Sequence, residues 1–294
     1  MDVSRISTCS IALIEHPGEE AFKHIRAAGY QKVDVLERVP HLSLFPEECD
    51  PAALKAAADK HNLQIANLAT YAGGGNDGRA YAWSFHDWSV PRPEQFTGMG
   101  FSEDTLDEQE RELEQLTRTI DLAVFLGARS IRVVPGDNTP GTISRIVPWF
   151  KRAARYAEEH KIYMGLENEG EGGILGVPAV LRDFVEKVGS PYLGVLFEPG
   201  NLLIDSQIGF KSAMKVMKDI IVHCHFKDCV RRNDKYELCL MGTGDIDFVW
   251  IVEQLEAAGY TGDYSLEYEL HGSDDPDPIT GLGMEFNAFK SLFK

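Results

Sequence analysis

The chain has 294 residues, of which 44% are hydrophobic and 26% charged, a mix that excludes a disordered or fibrous protein. Lys plus Arg number 29 against 46 Asp plus Glu, a formal net charge of −17 that opposes phosphate backbones and anionic surfaces, so neither nucleic acid nor a membrane is an expected partner. The five cysteines form no Cys-x-x-Cys pair and no apolar run approaches membrane-spanning length, which argues against a disulfide framework or a zinc ribbon and predicts a cytoplasmic protein.

In chain order, Gly18 to Gly29 places Ala21, Phe22, Ile25 and Ala28 at helical spacing, ends in a glycine suited to follow a helix, and leads into the β-type run Lys32 to Leu36. The same grammar recurs before Ser130 to Val134, Tyr192 to Phe197 and Tyr264 to Glu267. Reading every short apolar run alike predicts strands near 6–13, 32–36, 64–70, 129–134, 162–167, 192–197, 220–225 and 263–267. Helical patterns occupy Pro51 to His61, Thr105 to Leu126, Thr142 to His160, Val177 to Val188, Phe210 to Lys218 and Ile246 to Ala258, with a last one from Gly283 to Phe293.

Eight alternating units predict an α/β fold, a closed (β/α)8 TIM barrel, because parallel strands need helical crossovers and eight such units can close on themselves. The rival is an open doubly wound sheet, but the turn after the first strand reads Ile14-Glu15-His16-Pro17-Gly18, with no Gly-x-Gly-x-x-Gly. The rhythm breaks once, at Ala72 to Asp104, a long insertion after strand three whose Tyr81, Trp83 and Trp88 favour a packed lid. No linker interrupts the rest, so a single domain over 1–294 is expected.

In such a barrel the chemistry sits at the C-terminal ends of the strands. Strand five ends Glu167-Asn168-Glu169, strand six Glu198-Pro199-Gly200-Asn201, strand seven His223-Cys224-His225-Phe226-Lys227-Asp228, and strand eight Glu267-Tyr268-Glu269. Taken singly, Glu167 or Glu269 reads as a solvated loop carboxylate. Four consecutive strands ending this way crowd acid at one mouth, where repulsion raises the carboxyl pKa values unless a cation neutralises them. A divalent metal resolves this. Three carboxylates and one imidazole suit Mn²⁺, Mg²⁺, Co²⁺ or Zn²⁺, and the lack of thiolate points to catalysis rather than to a structural zinc. Period two puts His223 and His225 on one strand face, with His225 nearer the mouth and preferred as ligand; Glu267 is better placed than Glu269, and Cys224 packs on the opposite face. Lys227 and Asp228 have the plainer reading of a surface ion pair.

At these strand ends the sequence resembles the xylose-isomerase-like TIM barrels, a family with sugar-phosphate isomerases and epimerases, inosose dehydratase and the endonuclease IV type of repair enzyme. The resemblance rests on Val195-Leu196-Phe197-Glu198-Pro199-Gly200-Asn201, His223-x-His225-x-Lys227-Asp228, Gly242-Thr243-Gly244-Asp245-Ile246-Asp247-Phe248, and Gly259-Tyr260 to Ser265-Leu266-Glu267. It implies that Glu167, Glu198, His225 and Glu267 bind a divalent metal, Mn²⁺ first, and that Glu167 and Glu267 also move protons. It places Arg231, or alternatively Arg232, against the substrate. Two positions depart from the pattern: Glu198 stands where an aspartate is usual, and Asn201 where ketohexose epimerases and the nucleases have a histidine, which removes a nitrogen the nuclease cluster needs.

The expected activity is isomerisation or epimerisation of a sugar, keto-sugar or polyol by proton abstraction beside a carbonyl, through an enediolate. The alternative is a lyase or dehydratase acting on a keto-cyclitol or oxidised glycoside; behind it stand a binding barrel without chemistry and an abasic-site endonuclease. Lys227 is expected to assist at a developing oxyanion. Asn201, His223 and Glu269 are expected beside the substrate, with Trp83 and Trp88 closing over the sugar ring. A homo-oligomer is left open, as is phosphate on the substrate.

Overall fold

Ten strands follow in order along the chain: β1 (Ile6–Cys9), β2 (Lys32–Leu36), β3 (Gln64–Ala72), β4 (Ser130–Val133), β5 (Tyr163–Glu167), β6 (Leu193–Phe197), β7 (Ile221–Phe226), β8 (Asp228–Arg232), β9 (Lys235–Cys239) and β10 (Tyr264–Leu266). The structure, a computed structural model, describes the chain except residues 46, 76–99, 137–138, 171, 271, 273 and 294. Eight of the strands, all but β8 and β9, close into a parallel barrel in the order β1-β10-β7-β6-β5-β4-β3-β2. The strands expected at 32–36, 64–70, 129–134, 162–167, 192–197, 220–225 and 263–267 all sit in it. Register aligns the mouth: Glu167 of β5 and His223 of β7 both lie opposite Leu196 of β6, and His225 lies opposite Ser265 of β10.

The helices α1 (Gly18–Ala28), α2 (Pro51–Lys60), α3 (Leu106–Leu126), α4 (Ile143–His160), α5 (Pro178–Val188), α6 (Pro199–Ile204), α7 (Phe210–Met217), α8 (Phe248–Ala257) and α9 (Pro278–Ser291) lie between successive strands or follow the last. Their local signals are ordinary ones. Thr105 and Glu108 close a reciprocal capping box at the start of α3, and Asp50, Asp247 and Asp277 cap α2, α8 and α9 through their side chains. Each helix turns an apolar stripe to the sheet. In α4 the buried stripe is Ile146, Trp149, Phe150, Ala153, Ala154 and Ala157, and each fully buried large side chain of this kind contributes roughly 1.5–3 kcal/mol of transfer free energy. A second, smaller apolar cluster of Cys9, Ile11, Ile14, Leu36, Ala69, Tyr71 and Val134 gathers near the C-terminal ends of β1 to β4.

Two expectations are corrected, and one element appears that the sequence pattern did not assign. The first strand stops at Cys9, and residues 10–13 form a 3-10 turn. The Ser10 hydroxyl accepts from Leu36 N–H at 3.0 Å and meets His41 Nδ1 at 2.9 Å, which draws the chain off the sheet while Ile11 and Ile14 join the smaller cluster. The last helix begins at Pro278 rather than Gly283, started by the Asp277 cap and a proline in the first turn. Its Gly281 breaks the apolar pattern because a Cβ there would lie 2.3 Å from the Tyr268 ring. Finally, 228–239 is an antiparallel hairpin, β8 with β9, turning at Asn233 in the left-handed region. The insertion after β3 falls largely on 76–99, so Tyr81, Trp83 and Trp88 lie outside the described residues.

Candidate active site

The centre of the mouth is a buried imidazole surrounded by carboxylates. His225 Nε2 lies 2.7 Å from Asp34 Oδ2, and its Nδ1 lies 3.2 Å from Glu167 Oε1 and 2.9 Å from Glu267 Oε1. Asp34 Oδ2 also meets His223 Nε2 at 2.8 Å, while its Oδ1 accepts from Asn67 Nδ2, whose own Oδ1 accepts from Ser130 Oγ. One carboxylate on β2 therefore fixes both rings of β7 and leaves Nδ1 of His225 aimed between Glu167 and Glu267. Two buried groups, Asp34 with His223 and His225, and Glu167 with His225 and Glu267, each bring three potential metal-ligating atoms within 4.8 Å of one another.

The outer oxygens of the two glutamates are held by cations. Arg132 on β4 donates to Glu167 Oε2 at 2.7 Å, and its remaining donors reach the carbonyls of Thr70 and Ala69 while its guanidinium stacks 4.3 Å from the Tyr71 ring centre. Lys227 Nζ lies 3.1 Å from Glu267 Oε2 and 2.6 Å from Glu269 Oε2. Lys227 therefore pairs with these glutamates and not with Asp228, which corrects the surface ion pair.

Charge follows geometry. Burial would push Glu167 and Glu267 up, but His225 together with Arg132 or Lys227 holds both carboxyls below the ordinary glutamate value. Burial would push the His225 imidazole down, yet Glu267, Glu167 and Asp34 hold it well above its usual range. A positive charge is thus demanded at Nδ1, and either a proton or a metal ion can supply it. Glu169, half-buried in the cavity wall, is raised to about 7 by desolvation and the neighbouring Glu167 charge, a value matched to proton transfer near neutrality.

Glu198 stands apart from this group. Its Oε1 turns back to accept from Gly200 N–H at 2.6 Å, capping α6, and its Oε2 is buried with no hydrogen-bond partner among the described residues. Burial, reinforced by Glu267, raises its carboxyl well above the glutamate range. A Cβ on Gly200 would lie 3.0 Å from Glu198 Oε1 and 2.9 Å from Lys227 Cγ, so this turn is closely fitted to a residue without a side chain.

A cavity of about 630 Å³ opens over the centre, lined by Glu167, Glu267, Lys227, Glu269 and Asn201 among the expected residues and by Arg132, Glu169 and Asp205 in addition. His223 is buried on Asp34 and does not line it. Arg231 does not either: it sits on the hairpin, exposed, with Nη2 3.5 Å from Asp234, and Arg232 pairs with Glu237. The same hairpin sends Tyr236 and Leu238 to the cavity instead.

Asp34, Arg132 and Asn67 escaped the strand-end argument because they lie within strands. The available signal was a charge inside an otherwise apolar run, Lys32-Val33-Asp34-Val35-Leu36 and Ser130-Ile131-Arg132-Val133, since a buried charge must have a partner. Asp228 has another duty. Its carboxylate accepts from the N–H groups of Cys229, Gly242 and Gly244, each at 2.9 Å, tying the hairpin to the turn before α8. A Cβ on Gly244 would fall 2.2 Å from Asp228 Oδ1, which explains the glycine in Gly242-Thr243-Gly244.

An eight-stranded parallel barrel with carboxylates and imidazoles at one mouth defines a class, and sequence comparison gives the family: the chain belongs to the xylose isomerase-like TIM barrels, whose profile matches residues 22–290. A curated relative, the uncharacterized protein MJ1311 of Methanocaldococcus jannaschii, is 31% identical over 134 residues; the match spans 45% of this chain and less than half, 43%, of that protein. The structure described as L-ribulose 3-epimerase superposes with a TM-score of 0.71 at 18% identity, covering 98% of this chain and 93% of its own. The family 2 AP endonuclease of Brucella melitensis gives 0.68 at 17% identity, covering 99% of both chains. At these identities the likeness is one of fold. Among the described residues, no helix is long and apolar enough to cross a membrane.

Proposed function

We propose that the protein is a divalent-metal-dependent isomerase or epimerase of a sugar, keto-sugar or related polyol, working by proton abstraction next to a carbonyl. The observation that carries this reading is the convergence of Glu167 Oε1, Glu267 Oε1 and Asp34-anchored His225 on one buried point at the floor of a cavity. The donor set fits a metal: two carboxylates and an imidazole face one point, and Glu198 Oε2, buried and unpartnered while Oε1 caps α6, is the third oxygen and fourth donor that we assign to it. Oxygen and nitrogen ligands without thiolate favour Mn²⁺, with Mg²⁺, Co²⁺ or Zn²⁺ as alternatives. When bound, such an ion supplies Lewis-acid stabilisation of negative charge on the substrate's adjacent oxygens.

The protein's own groups do the rest. Glu167 and Glu267 stand as the proton-transfer pair, each with one oxygen toward His225 and the other restrained by a cation, Arg132 or Lys227. Lys227 and Arg132 hold these carboxylates in place, and Lys227, which lines the cavity, also donates to a developing oxyanion. Returning the proton to the other carbon isomerises; returning it to the opposite face epimerises; loss of a β-hydroxyl from the same enediolate gives the lyase alternative.

The test is exchange of the carbon-bound proton with solvent deuterium in a panel of ketoses, followed by proton NMR with Mn²⁺ present. Exchange at the carbon next to the carbonyl, lost in Glu167→Gln and Glu267→Gln, is the expected result. No exchange across the panel, or exchange untouched by both substitutions, contradicts the proposal.

A further inference from the structure

We infer that the cavity selects a neutral, unphosphorylated polyhydroxylated substrate, an inference that rests on the proposed proton-transfer function and deepens it. Among the described residues, five carboxylates line the cavity, Glu167, Glu169, Asp205, Glu267 and Glu269, against two cations, Arg132 and Lys227. Both cations are already engaged. Arg132 directs all three of its donor nitrogens to Glu167 and to two backbone carbonyls, and Lys227 is shared between Glu267 and Glu269. The other basic side chains next in sequence, Arg231 and Arg232, are exposed on the hairpin and paired with Asp234 and Glu237.

A phosphate ester entering this recess would meet an excess of like charge, and at Lys227 it would compete with two carboxylates, at 3.1 and 2.6 Å, for a single positive charge. A divalent ion at the floor offsets two of the negative charges and still leaves the described lining without a net positive charge to draw in a phosphate. Hydroxyl groups meet the opposite situation. Carboxylates accept from them, Asn201 both donates and accepts, and Ile11, Leu36, Tyr71 and Val134 of the smaller apolar cluster offer a wall for the C–H face of a ring.

The experiment compares matched pairs, D-fructose with D-fructose 6-phosphate and D-ribulose with D-ribulose 5-phosphate, in calorimetric titrations of the Mn²⁺-treated protein. Binding of the neutral ketose at least roughly tenfold tighter than its ester is expected. In Glu269→Gln, which frees one side of Lys227, the ester is expected to recover part of that gap. An ester that binds as well as its parent sugar, or neutral ketoses that do not bind, overturns the inference. Selective binding without solvent proton exchange upholds the selectivity and removes the proposed reaction, so the two readings fail separately.

Discussion

Two carboxylate centres lie side by side at the end of β7, and they are built differently. Glu167 and Glu267 face charged side chains, His225, Arg132 and Lys227, and border a cavity. Asp228, three residues beyond His225, faces backbone N–H groups, with Cys229, Gly242 and Gly244 all donating to it. A carboxylate held by charged side chains can exchange a partner for a metal ion or a proton. One saturated by main-chain donors is committed to holding the chain. Motif residues that look equivalent in sequence therefore divide into chemistry and scaffolding.

The largest effect should come from the first centre. Glu167→Gln keeps the shape and removes the charge, and is expected to lower turnover by roughly a thousandfold or more, since it removes a proposed ligand and proton carrier together. Unchanged circular dichroism and melting temperature would assign that loss to chemistry. Asp34→Asn tests the anchor beneath it. Weakening the hold on His225 should cost roughly 10–100-fold in metal affinity, measured by competition with a chelating dye. Asp228→Ala should do the reverse, leaving metal affinity nearly unchanged while destabilising the fold by about 2–4 kcal/mol in urea titrations, because three main-chain donors lose their acceptor. If Asp228→Ala abolished metal uptake in the folded protein, the division between the two centres would fail.

The smallest expected effect lies just behind the second centre. Glu285 of α9 is buried, its Oε2 has no hydrogen-bond partner among the described residues, and desolvation with the nearby Asp228 charge raises its carboxyl to about 8. The folded protein then holds a proton that the unfolded chain releases near 4.5, so stability falls as pH climbs from about 4.5 to about 8. Glu285→Gln cannot ionise, and its melting temperature should exceed wild type by a few degrees at pH 8 and by little at pH 5. An equal difference at both pH values would show that ionisation is not the cause.

The barrel was legible because its periodicity is regular: seven of the eight expected barrel strands agree with those observed to within about two residues at either end, a usual boundary scatter. The exception, the overextended first strand, was decided by a tertiary contact, the Ser10 hydroxyl with Leu36 and His41, which no local pattern encodes. At the site, Glu167, His225 and Glu267 were legible as strand-end polar residues, and they meet. Asp34 and Arg132 were not, since their partners lie 191 and 35 residues away and pairing across a barrel leaves no spacing in the sequence. Glu198 shows the limit differently. Its residue type suits a metal, but the longer side chain reaches back to cap its own helix.

The most direct test is metal content of the wild-type protein and of His225→Ala after loading with Mn²⁺ and desalting. We expect about one equivalent per wild-type chain and essentially none in a folded His225→Ala variant. A wild-type protein that retains no ion, or a His225→Ala variant that retains a full equivalent, would contradict the central claim that these strand ends converge to hold one.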